Sequence, residues 1–478
     1  MLVHAGSPRA LGVHGFNGET LDFDSVDRRF AGTSPMPISG GPTHAEPPAS
    51  VLAIAAMVAG LSILGQFAIA TYLPAFAVMS DDLKAGTAQI QQSLTAYLLP
   101  FTLMLPWHGS ISDAVGRRRM ILLGCALFTL GSLVCAAATS IEWLYAGRAV
   151  QGSSVGIGVI VGRALVRDAF DGMKAQKVMA IVAMIFALGP ALAPICGGWL
   201  LLWAGLRSIF VFLALVSVSL LVACWRWMPE TLPPARRHSL HPGLLARAYG
   251  TMLAHGRFMA LSLANASVNV AIYVYVFCAP RFVTEYLGLG PQSFGWLFIP
   301  IVTGILFGSL IAHRIAGRVS PERSVMLGHA VMLLAATFNI AVCALHVPAM
   351  PWALVALPAF STGMIMTQPS LQLLALDCFP ERRGLASSGY VAIQQFGNFL
   401  LSALLVPLLG STTKMAICMA GLQFAWPGHV HGGEFGWFAQ GRSNRASGRV
   451  GRLYVEDEAL LSNLTFIGAH CRRVATES

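Results

Sequence analysis

Residues 109–119 read GSISDAVGRRR, a short charged turn between two long apolar stretches. Arg117, Arg118 and Arg119 follow one another at the point where the first apolar stretch ends and the second begins. Basic residues beside apolar spans mark the cytoplasmic side of a membrane. Asp113 lies four residues before Arg117, so the turn holds charges of both signs. The stretch therefore predicts two membrane helices that are joined on the cytoplasmic side.

The composition of the whole chain fits this interpretation. Of its 478 residues, 11% are charged and 55% are hydrophobic, whereas soluble domains have about 25% charged residues. The apolar residues come in blocks of about 20 or more, the length that crosses the roughly 30 Å core of a bilayer. The sequence therefore predicts an all-α polytopic membrane protein. The net charge of +10 is spread over many short loops, which indicates cytoplasmic loops rather than a nucleic-acid-binding surface.

The sequence offers no motif for a cofactor or for catalysis. Most of the nine cysteines fall within apolar stretches, no CxxC pair exists, and the 13 histidines have no ligand spacing. Such cysteines pack as small hydrophobes. The phosphate-binding pattern GxxxxGK[ST] is missing from the sequence, which argues against hydrolysis of ATP by such a loop. We therefore expect no enzyme activity, no cofactor and no structural metal.

The apolar blocks divide the chain into regions. We predict a disordered cytoplasmic tail over 1–50, a six-helix bundle over 51–228, a cytoplasmic linker over 229–256, a second helix bundle over 257–426 and a polar, divergent tail over 427–478. The predicted spans are 51–73, 88–111, 119–139, 141–166, 177–201, 207–228, 257–283, 292–313, 323–346, 350–376 and 384–410.

The charges of the loops predict the orientation of the chain. One side carries 17 basic residues and the other side carries 4, which places the N-terminus and the turn at 109–119 in the cytoplasm. The 17 are Arg117, Arg118, Arg119, Arg163, Arg167, Lys174, Lys177, Arg226, Arg236, Arg237, Arg247, Arg257, Arg314, Arg318, Arg323, Arg382 and Arg383, and the 4 are Lys84, Arg207, Arg281 and Lys414.

The two predicted bundles are related as an internal repeat. The turn after the second span reads GSISDAVGRRRMILLG, and the turn after the eighth, residues 308–328, reads GSLIAHRIAGRVSPERSVMLG. Both begin with Gly-Ser, contain a Gly-Arg pair and end with Leu-Gly. Two parallel halves related by an axis along the membrane normal are a known transporter plan.

Four further stretches complete a recognisable set of motifs. They read GRAVQG from Gly147, GRALVRDAF from Gly162, LGPALAPICGG from Leu188 and PERRGLASS from Pro380. With GSISDAVGRRR, they resemble the major facilitator superfamily, and within it the Bcr/CflA-like multidrug (drug:proton antiporter) efflux transporters. The resemblance covers residues 51–410. It implies a fold of two six-helix halves that works as a monomer. It also implies export of small amphipathic compounds or drugs across the bacterial inner membrane, by alternating access and coupled to protons.

The fourth span carries the residues expected to line a central cavity. Arg148 lies about seven residues into this span, and a charged residue at such a depth usually faces a polar interior. The alternative is that Arg148 snorkels outward or binds backbone carbonyls to hold the bundle together. Gly152 belongs to a GxxxG pair, which favours close packing of helices. With the family resemblance, the predicted cavity and coupling residues are Arg148, Gln151, Gly152, Tyr72, Asn265 and Asn269.

Two further groups of residues are expected to act in the conformational change. Asp113 is predicted to bind the N-terminal end of the eleventh span, residues 384–388, where unpaired N–H groups attract an anion, and Arg117 is predicted to pair with Asp168. Prolines and glycines in the fifth span predict a bent, closely packed helix. The predicted cytoplasmic latch is Gly109, Asp113, Gly116, Arg117, Arg118 and Asp168, and the predicted fifth-span hinge is Gly189, Pro190, Pro194, Gly197 and Gly198.

The chain departs from this family in two places. The resemblance implies an acidic residue two positions before the tyrosine of the YLP motif, as a proton carrier, but this position is Ala70. The last apolar run, 415–426, has 12 residues, too few to cross a bilayer, and the polar tail after it is consistent with a change of reading frame. Three functions therefore stay open: an exporter, a facilitator or uptake carrier, and a transport-impaired membrane protein.

Overall fold

The computed structural model of the chain describes residues 51–170, 172–237, 242–345 and 352–431. Within these ranges the secondary structure is helical and contains no strand. The predicted tail over 1–50 and residues 432–478 lie outside the described residues. The α-helices of seven or more residues are α1 (Val51–Ala70), α2 (Phe76–Asp82), α3 (Thr87–Val115), α4 (Arg117–Ala136), α5 (Ile141–Ala169), α6 (Gly172–Ala204), α7 (Leu206–Trp227), α8 (Pro242–Leu253), α9 (Gly256–Phe277), α10 (Gly295–Ile315), α11 (Pro321–Leu345), α12 (Trp352–Leu376), α13 (Arg383–Leu400) and α14 (Thr412–His431).

Short segments of other helical types extend several of these helices. The 3-10 helices are Leu73–Ala75, Pro234–Arg236, Pro291–Phe294, Pro380–Arg382 and Val406–Leu408, and the π-helices are Phe282–Tyr286 and Leu401–Leu405. The fold class predicted from composition, an all-α membrane protein, is confirmed for the described residues. Nine helical segments in these ranges are long and apolar enough to cross a membrane.

Three long helices, α3, α12 and α14, are not among these nine segments. Two of them, α3 and α12, coincide with the predicted spans 88–111 and 350–376, and each contains two prolines and several polar residues. The predicted short run 415–426 lies within the longer helix α14, whose 20 residues correspond to about 30 Å of helix. The helix is longer than the apolar run because it continues into polar residues at both ends, so an atypical or truncated twelfth span stays a prediction.

The long helices pack into two groups along the chain. In the first group α5 packs against α3 and α4, α1 packs against α6, and α4 packs against α7. In the second group α12 packs against α10 and α11, while α9 packs against α12, α13 and α14. The groups meet along two seams, one between α3 and α13 and the other between α6 and α10. The largest apolar cluster includes buried residues of both groups, among them Leu98 and Phe298.

The glycines of α5 decide how closely it approaches its neighbours. A Cβ atom at Gly152 would lie 2.0 Å from the carbonyl oxygen of Tyr97 on α3, and one at Gly158 would lie 2.5 Å from the carbonyl oxygen of Leu61 on α1. Gly156 similarly faces α3. Gly152 and Gly156 therefore contact α3, whereas Gly158 contacts α1, which places α5 between these two helices.

The predicted linker over 229–256 contains a helix that the sequence analysis did not predict. Helix α8 begins at Pro242 and lies beside α9 and α13. Its Met252 is buried in an apolar cluster with Phe258 of α9 and Tyr390 of α13. Proline at the first position of a helix and an apolar stripe behind it are the signals that could have predicted α8.

Candidate functional site

Arg148 lies at the centre of the first helix group and is completely buried. It is the eighth residue of α5. Its Nη1 atom donates to the backbone carbonyl of Ala68 on α1 and to Oε1 of Gln151, both at 2.8 Å. Its Nε and Nη2 atoms have no hydrogen-bond partner among the described residues. The guanidinium therefore both ties α5 to α1 and retains unused donors.

Two tyrosine rings enclose the guanidinium. Its central carbon lies 4.3 Å from the ring centre of Tyr72 and 4.5 Å from that of Tyr97. Cation–π contacts of this kind stabilise a desolvated guanidinium by about 2 kcal/mol. The Tyr72 hydroxyl lies 3.1 Å from the Ser93 hydroxyl, and the Tyr97 hydroxyl donates to the Gly65 carbonyl at 3.3 Å. These bonds fix both rings over the cation.

The neighbours of Gln151 hold it in place for Arg148. Its Nε2 atom donates to the Ser132 hydroxyl of α4 at 2.8 Å, which leaves Oε1 directed at the guanidinium. Gly152, the next residue, allows α3 to approach and brings Tyr97 to the site. The sequence analysis brought Arg148, Gln151, Gly152 and Tyr72 into one set of residues, but it did not predict the role of Ser132.

The predicted cavity residues of the second group lie between α9 and α13. Asn265 donates to Oε1 of Gln394 at 2.8 Å, and Asn398 donates to Oδ1 of Asn269 at 3.2 Å. Each amide pair joins the same two helices, so it provides the bonding between helices that polar side chains supply in membranes. Neither pair contacts Arg148 among the bonds of the described residues.

Tyr273 connects the two helix groups near these amide pairs. It lies on α9 of the second group, interacts electrostatically with Tyr97 and forms a side-chain hydrogen bond with Gln66 of α1. Both Gln66 and Tyr273 are partly exposed. The rings of Tyr72 and Tyr97 around Arg148 therefore lie next to the boundary between the two helix groups.

The turn at 109–119 is tighter than the sequence suggested. Helix α3 continues to Val115, and α4 starts at Arg117, so Gly116 alone separates them. Gly116 has φ 109° and ψ 149°, a conformation that is strained for any residue with a side chain. A Cβ atom there would lie 2.5 Å from Oε2 of Glu230. Gly109 is an inner residue of α3 and makes only ordinary contacts.

Arg117 is the centre of a charged cluster at the end of α3. Its Nε atom donates to Oδ2 of Asp168 at 3.0 Å, and its Nη1 atom lies 2.5 Å from Oδ1 of Asp113. Nη1 also donates to the hydroxyl of Ser112 at 2.5 Å. The structure thus contains the ion pair between Arg117 and Asp168 that the sequence predicted, and it links α3, α4 and α5.

The second contact that was predicted for this cluster, between Asp113 and residues 384–388 at the start of the eleventh span, is wrong. Asp113 is paired with Arg117, and among the described residues it has no bond to residues 384–388. The physical reason is proximity, since Arg117 is four residues away and the broken helix brings its side chain back to Asp113. The charged cluster therefore lies entirely within the first helix group and the segment that follows it.

Two contacts of this cluster were missed by the sequence analysis. Oε1 of Glu230 accepts from the backbone N–H of Arg117 at 3.0 Å, where it meets the positive end of the α4 dipole. Arg118 donates to the backbone carbonyl of Trp225, in the last turn of α7. Both partners are more than a hundred residues away along the chain, so the local pattern provided no signal for them beyond an acidic residue in a basic loop.

One hydrogen bond connects the linker helix α8 to α3 at the boundary between the two helix groups, on the same side as the turn at 109–119. The Tyr249 hydroxyl of α8 donates to the backbone carbonyl of Pro106 on α3 at 3.2 Å. Burial raises the pKa of Tyr249 to about 12, so this hydroxyl remains a donor at neutral pH. Tyr249 also interacts with Ser388 of α13. The linker helix therefore contacts both sides of the α3–α13 seam.

The fifth predicted span corresponds to α6, which contains Pro190 and Pro194 within one helix. Of its hinge glycines, Gly198 packs closely against the second half of the chain, where a Cβ atom would lie 2.5 Å from the carbonyl oxygen of Pro291. Gly189 and Gly197 instead face α1 and the backbone at Thr71, in the same helix group. The difference arises because successive glycines point to different faces of a helix.

The positions relevant to proton coupling, Ala70 and Asp377, do not place a carboxylate in the interior. Ala70 is buried at the end of α1. Asp377, an acidic residue just after the end of α12, has its carboxylate 3.7 Å from Nη2 of Arg383. The acidic residues of the described ranges all lie near helix ends or in connecting segments. The interior charge at the site is therefore that of Arg148.

Comparison with known proteins places these features in a family. Residues 55–402 match the Major Facilitator Superfamily. The chain is 30% identical over 376 residues to the MFS-type transporter YdgK of Bacillus subtilis (strain 168), covering 78% of this chain and 92% of that protein. It is 30% identical to multidrug resistance protein D of Escherichia coli (strain K12), covering 73% and 87% of the two chains. Among solved structures, a D-xylose-proton symporter superimposes with a TM-score of 0.67 at 15% identity over 80% of this chain and 97% of that chain.

Proposed function

We propose an export function for this chain, on the premise that it belongs to the major facilitator superfamily, whose match spans residues 55–402. The chain is a multi-pass membrane protein, and it does not resemble an enzyme. The proposed activity is secondary active export of small amphipathic compounds or drugs across the bacterial inner membrane, coupled to protons. The N-terminus is in the cytoplasm and the working unit is a monomer.

The observation that carries this proposal is the enclosed cation of the first helix group, where the neighbouring Tyr97 interacts with Tyr273 of the second group. Arg148 is buried, has unused donors and lies between two aromatic rings. Transporter sites of this superfamily lie near the membrane midplane between the repeats. Aromatic rings contribute apolar contact area for an amphipathic compound, and the guanidinium contributes a polar contact. Two relatives are named for drug resistance, multidrug resistance protein D and a bicyclomycin resistance protein homolog of Haemophilus influenzae.

Alternating access would use the two seams between the helix groups. We propose that 51–228 and 257–426 move as two bodies, which requires the α3–α13 and α6–α10 seams to open in turn. The bond from Tyr249 to Pro106 and the close approach of Gly198 to Pro291 would break during these steps. The Arg117 cluster would remain intact, since its members all belong to the first body and to the segment after it.

The experiment is a drug-susceptibility panel in an efflux-deficient bacterial host that expresses the chain at verified levels. The proposal predicts that the chain lowers susceptibility to at least one amphipathic compound. It predicts a larger effect for Ala70→Asp, because a buried carboxylate has a raised pKa and can carry a proton across the cavity. Ala70→Asn is the matched control, since it has the same shape without the charge.

The outcomes separate the three functions that the sequence left open. Protection that is lost when a protonophore is added supports proton-coupled export. Increased susceptibility, caused by accumulation of the compound, would instead indicate an uptake carrier. No change with the chain or with either variant would contradict export and support the transport-impaired alternative.

A further inference from the structure

We infer that the export site selects compounds with an anionic group, and that this group binds the guanidinium of Arg148. The inference names the substrate class of the site proposed above, and its meaning for transport rests on that proposed function. It depends on three properties of the site: the donors that Arg148 leaves unused, the absence of a neighbouring carboxylate in the described structure, and the aromatic enclosure.

The first property is a surplus of donors. A guanidinium has five N–H donors. The two bonds from Nη1, to the Ala68 carbonyl and to Gln151, use two of them. Nε and Nη2 provide the other three donors. The Tyr72 hydroxyl interacts with the guanidinium both electrostatically and as a hydrogen-bond partner, and one such bond still leaves two of the three donors unused. Nε and Nη2 lie side by side, which is the geometry in which arginine binds a carboxylate through two parallel bonds.

The second property is an unbalanced charge. The side chains that surround Arg148 are neutral. Tyr72 lies in the segment that follows α1, Tyr97 lies on α3, and Ser132 and Cys135 lie on α4. Among the described residues, no aspartate or glutamate forms an ion pair with Arg148. A buried charge is strongly destabilising unless it is paired. A ligand with a negative charge supplies the missing partner, whereas a cationic ligand adds repulsion.

The third property is the shape of the surroundings. The rings of Tyr72 and Tyr97 lie over the guanidinium and hold its plane. An amphipathic anion would therefore place its charged group at Nε and Nη2 and its apolar part against the rings. The partly exposed side chains of Gln66 and Tyr273 lie where the two helix groups meet.

The test is equilibrium binding of three probes to the full chain, purified in detergent, measured by scintillation proximity. The probes share one naphthyl ring: 1-naphthoate is anionic, 1-naphthylmethanol is neutral and 1-naphthylmethylammonium is cationic. The chain is expected to bind 1-naphthoate about tenfold more tightly than either other probe, which corresponds to about 1.4 kcal/mol.

The decisive variant is Gln151→Glu. It keeps the size of the side chain and places a carboxylate where Oε1 now lies, 2.8 Å from Nη1 of Arg148. This internal partner should weaken 1-naphthoate binding about tenfold or more and strengthen binding of the ammonium probe. The matched control is Gln423→Glu, the same substitution at a buried glutamine of α14 that bonds the Ser267 carbonyl of α9. It should leave the preference for 1-naphthoate unchanged.

If Gln151→Glu does not yield a monodisperse protein, Arg148→Lys keeps the charge without the planar fork. It should keep the preference for the anion with weaker binding. Equal binding of the anionic and cationic probes by the unmodified chain would overturn the inference, as would Gln151→Glu with unchanged preference. Anion-selective binding in a chain that exports nothing would contradict the proposed function alone, and export without anion preference would contradict this inference alone.

Discussion

At Gly152 the distance between two helices depends on the absence of a single side chain. The carbonyl oxygen of Tyr97 occupies the place where a Cβ atom would lie, 2.0 Å away. The same close approach holds the Tyr97 ring over Arg148. The packing of α3 on α5 and the geometry of the cation site therefore have one cause.

We predict that Gly152→Ala destabilises the folded protein by about 1–3 kcal/mol, because the added methyl group must displace a backbone rather than a flexible side chain. Gly421→Ala is the control, since a Cβ atom at Gly421 of α14 has no described atom within 4 Å. The measurement is the thermal unfolding midpoint of the purified chain in detergent. Equal midpoints for the two variants would contradict the packing explanation.

At the scale of elements, the connection between α3 and α4 is a single glycine with an ion cluster around it. Arg117 has an 11% exposed side chain, whereas Asp168 is 29% exposed and Asp113 is 44% exposed. Surface ion pairs contribute about 0–1 kcal/mol. The pair with Asp168 joins two helices and is better shielded, so it should contribute more than the pair with Asp113, which lies within one turn.

We predict that Asp113→Asn and Asp168→Asn both lower export and leave membrane insertion intact, with the larger loss for Asp168→Asn. A difference of about 1 kcal/mol corresponds to about a fivefold change in an equilibrium constant. The measurement is the initial rate of probe transport in inverted vesicles, normalised to the amount of protein by immunoblot. Unchanged rates for both variants would show that the cluster is not needed to hold the first helix group in its transport-competent form.

At the scale of the whole molecule, the distribution of charge predicts how the chain is oriented. The basic residues concentrate on the side that holds Arg117 and helix α8. The positive-inside rule therefore predicts that the linker and the turn face the cytoplasm. The loop that contains Gly288, between the π-helix Phe282–Tyr286 and Pro291–Phe294, is predicted to lie on the other side.

We predict that an epitope tag inserted at Gly288 is accessible to antibody in intact spheroplasts, and that a tag at Gly243 is accessible only after permeabilisation. A Cβ atom added at either glycine would have no described atom within 4 Å, so an insertion meets little steric resistance. The measurement is antibody binding by flow cytometry before and after permeabilisation. The opposite pattern would reverse the predicted orientation.

The sequence by itself determined the helical membrane fold, the approximate spans and the ion pair between Arg117 and Asp168. These depend on runs of apolar residues and on charges at span ends, which are local properties of the chain. It also identified Arg148, because an arginine within an apolar span is unusual wherever it occurs, and the family resemblance added Gln151. The break at Gly116 was narrower than expected, since apolar content does not report where helical hydrogen bonding stops.

Only the tertiary structure decided which atoms these residues meet. Glu230 reaches the start of α4 from 113 positions away, and Tyr249 reaches Pro106 from 143 positions away. Such contacts depend on the relative positions of packed helices, which no local pattern encodes. The same reason explains why Asp113 was assigned the wrong partner and why the unused donors of Arg148 could not be foreseen: a sequence names a buried charge, but only packing determines what is left to pair with it.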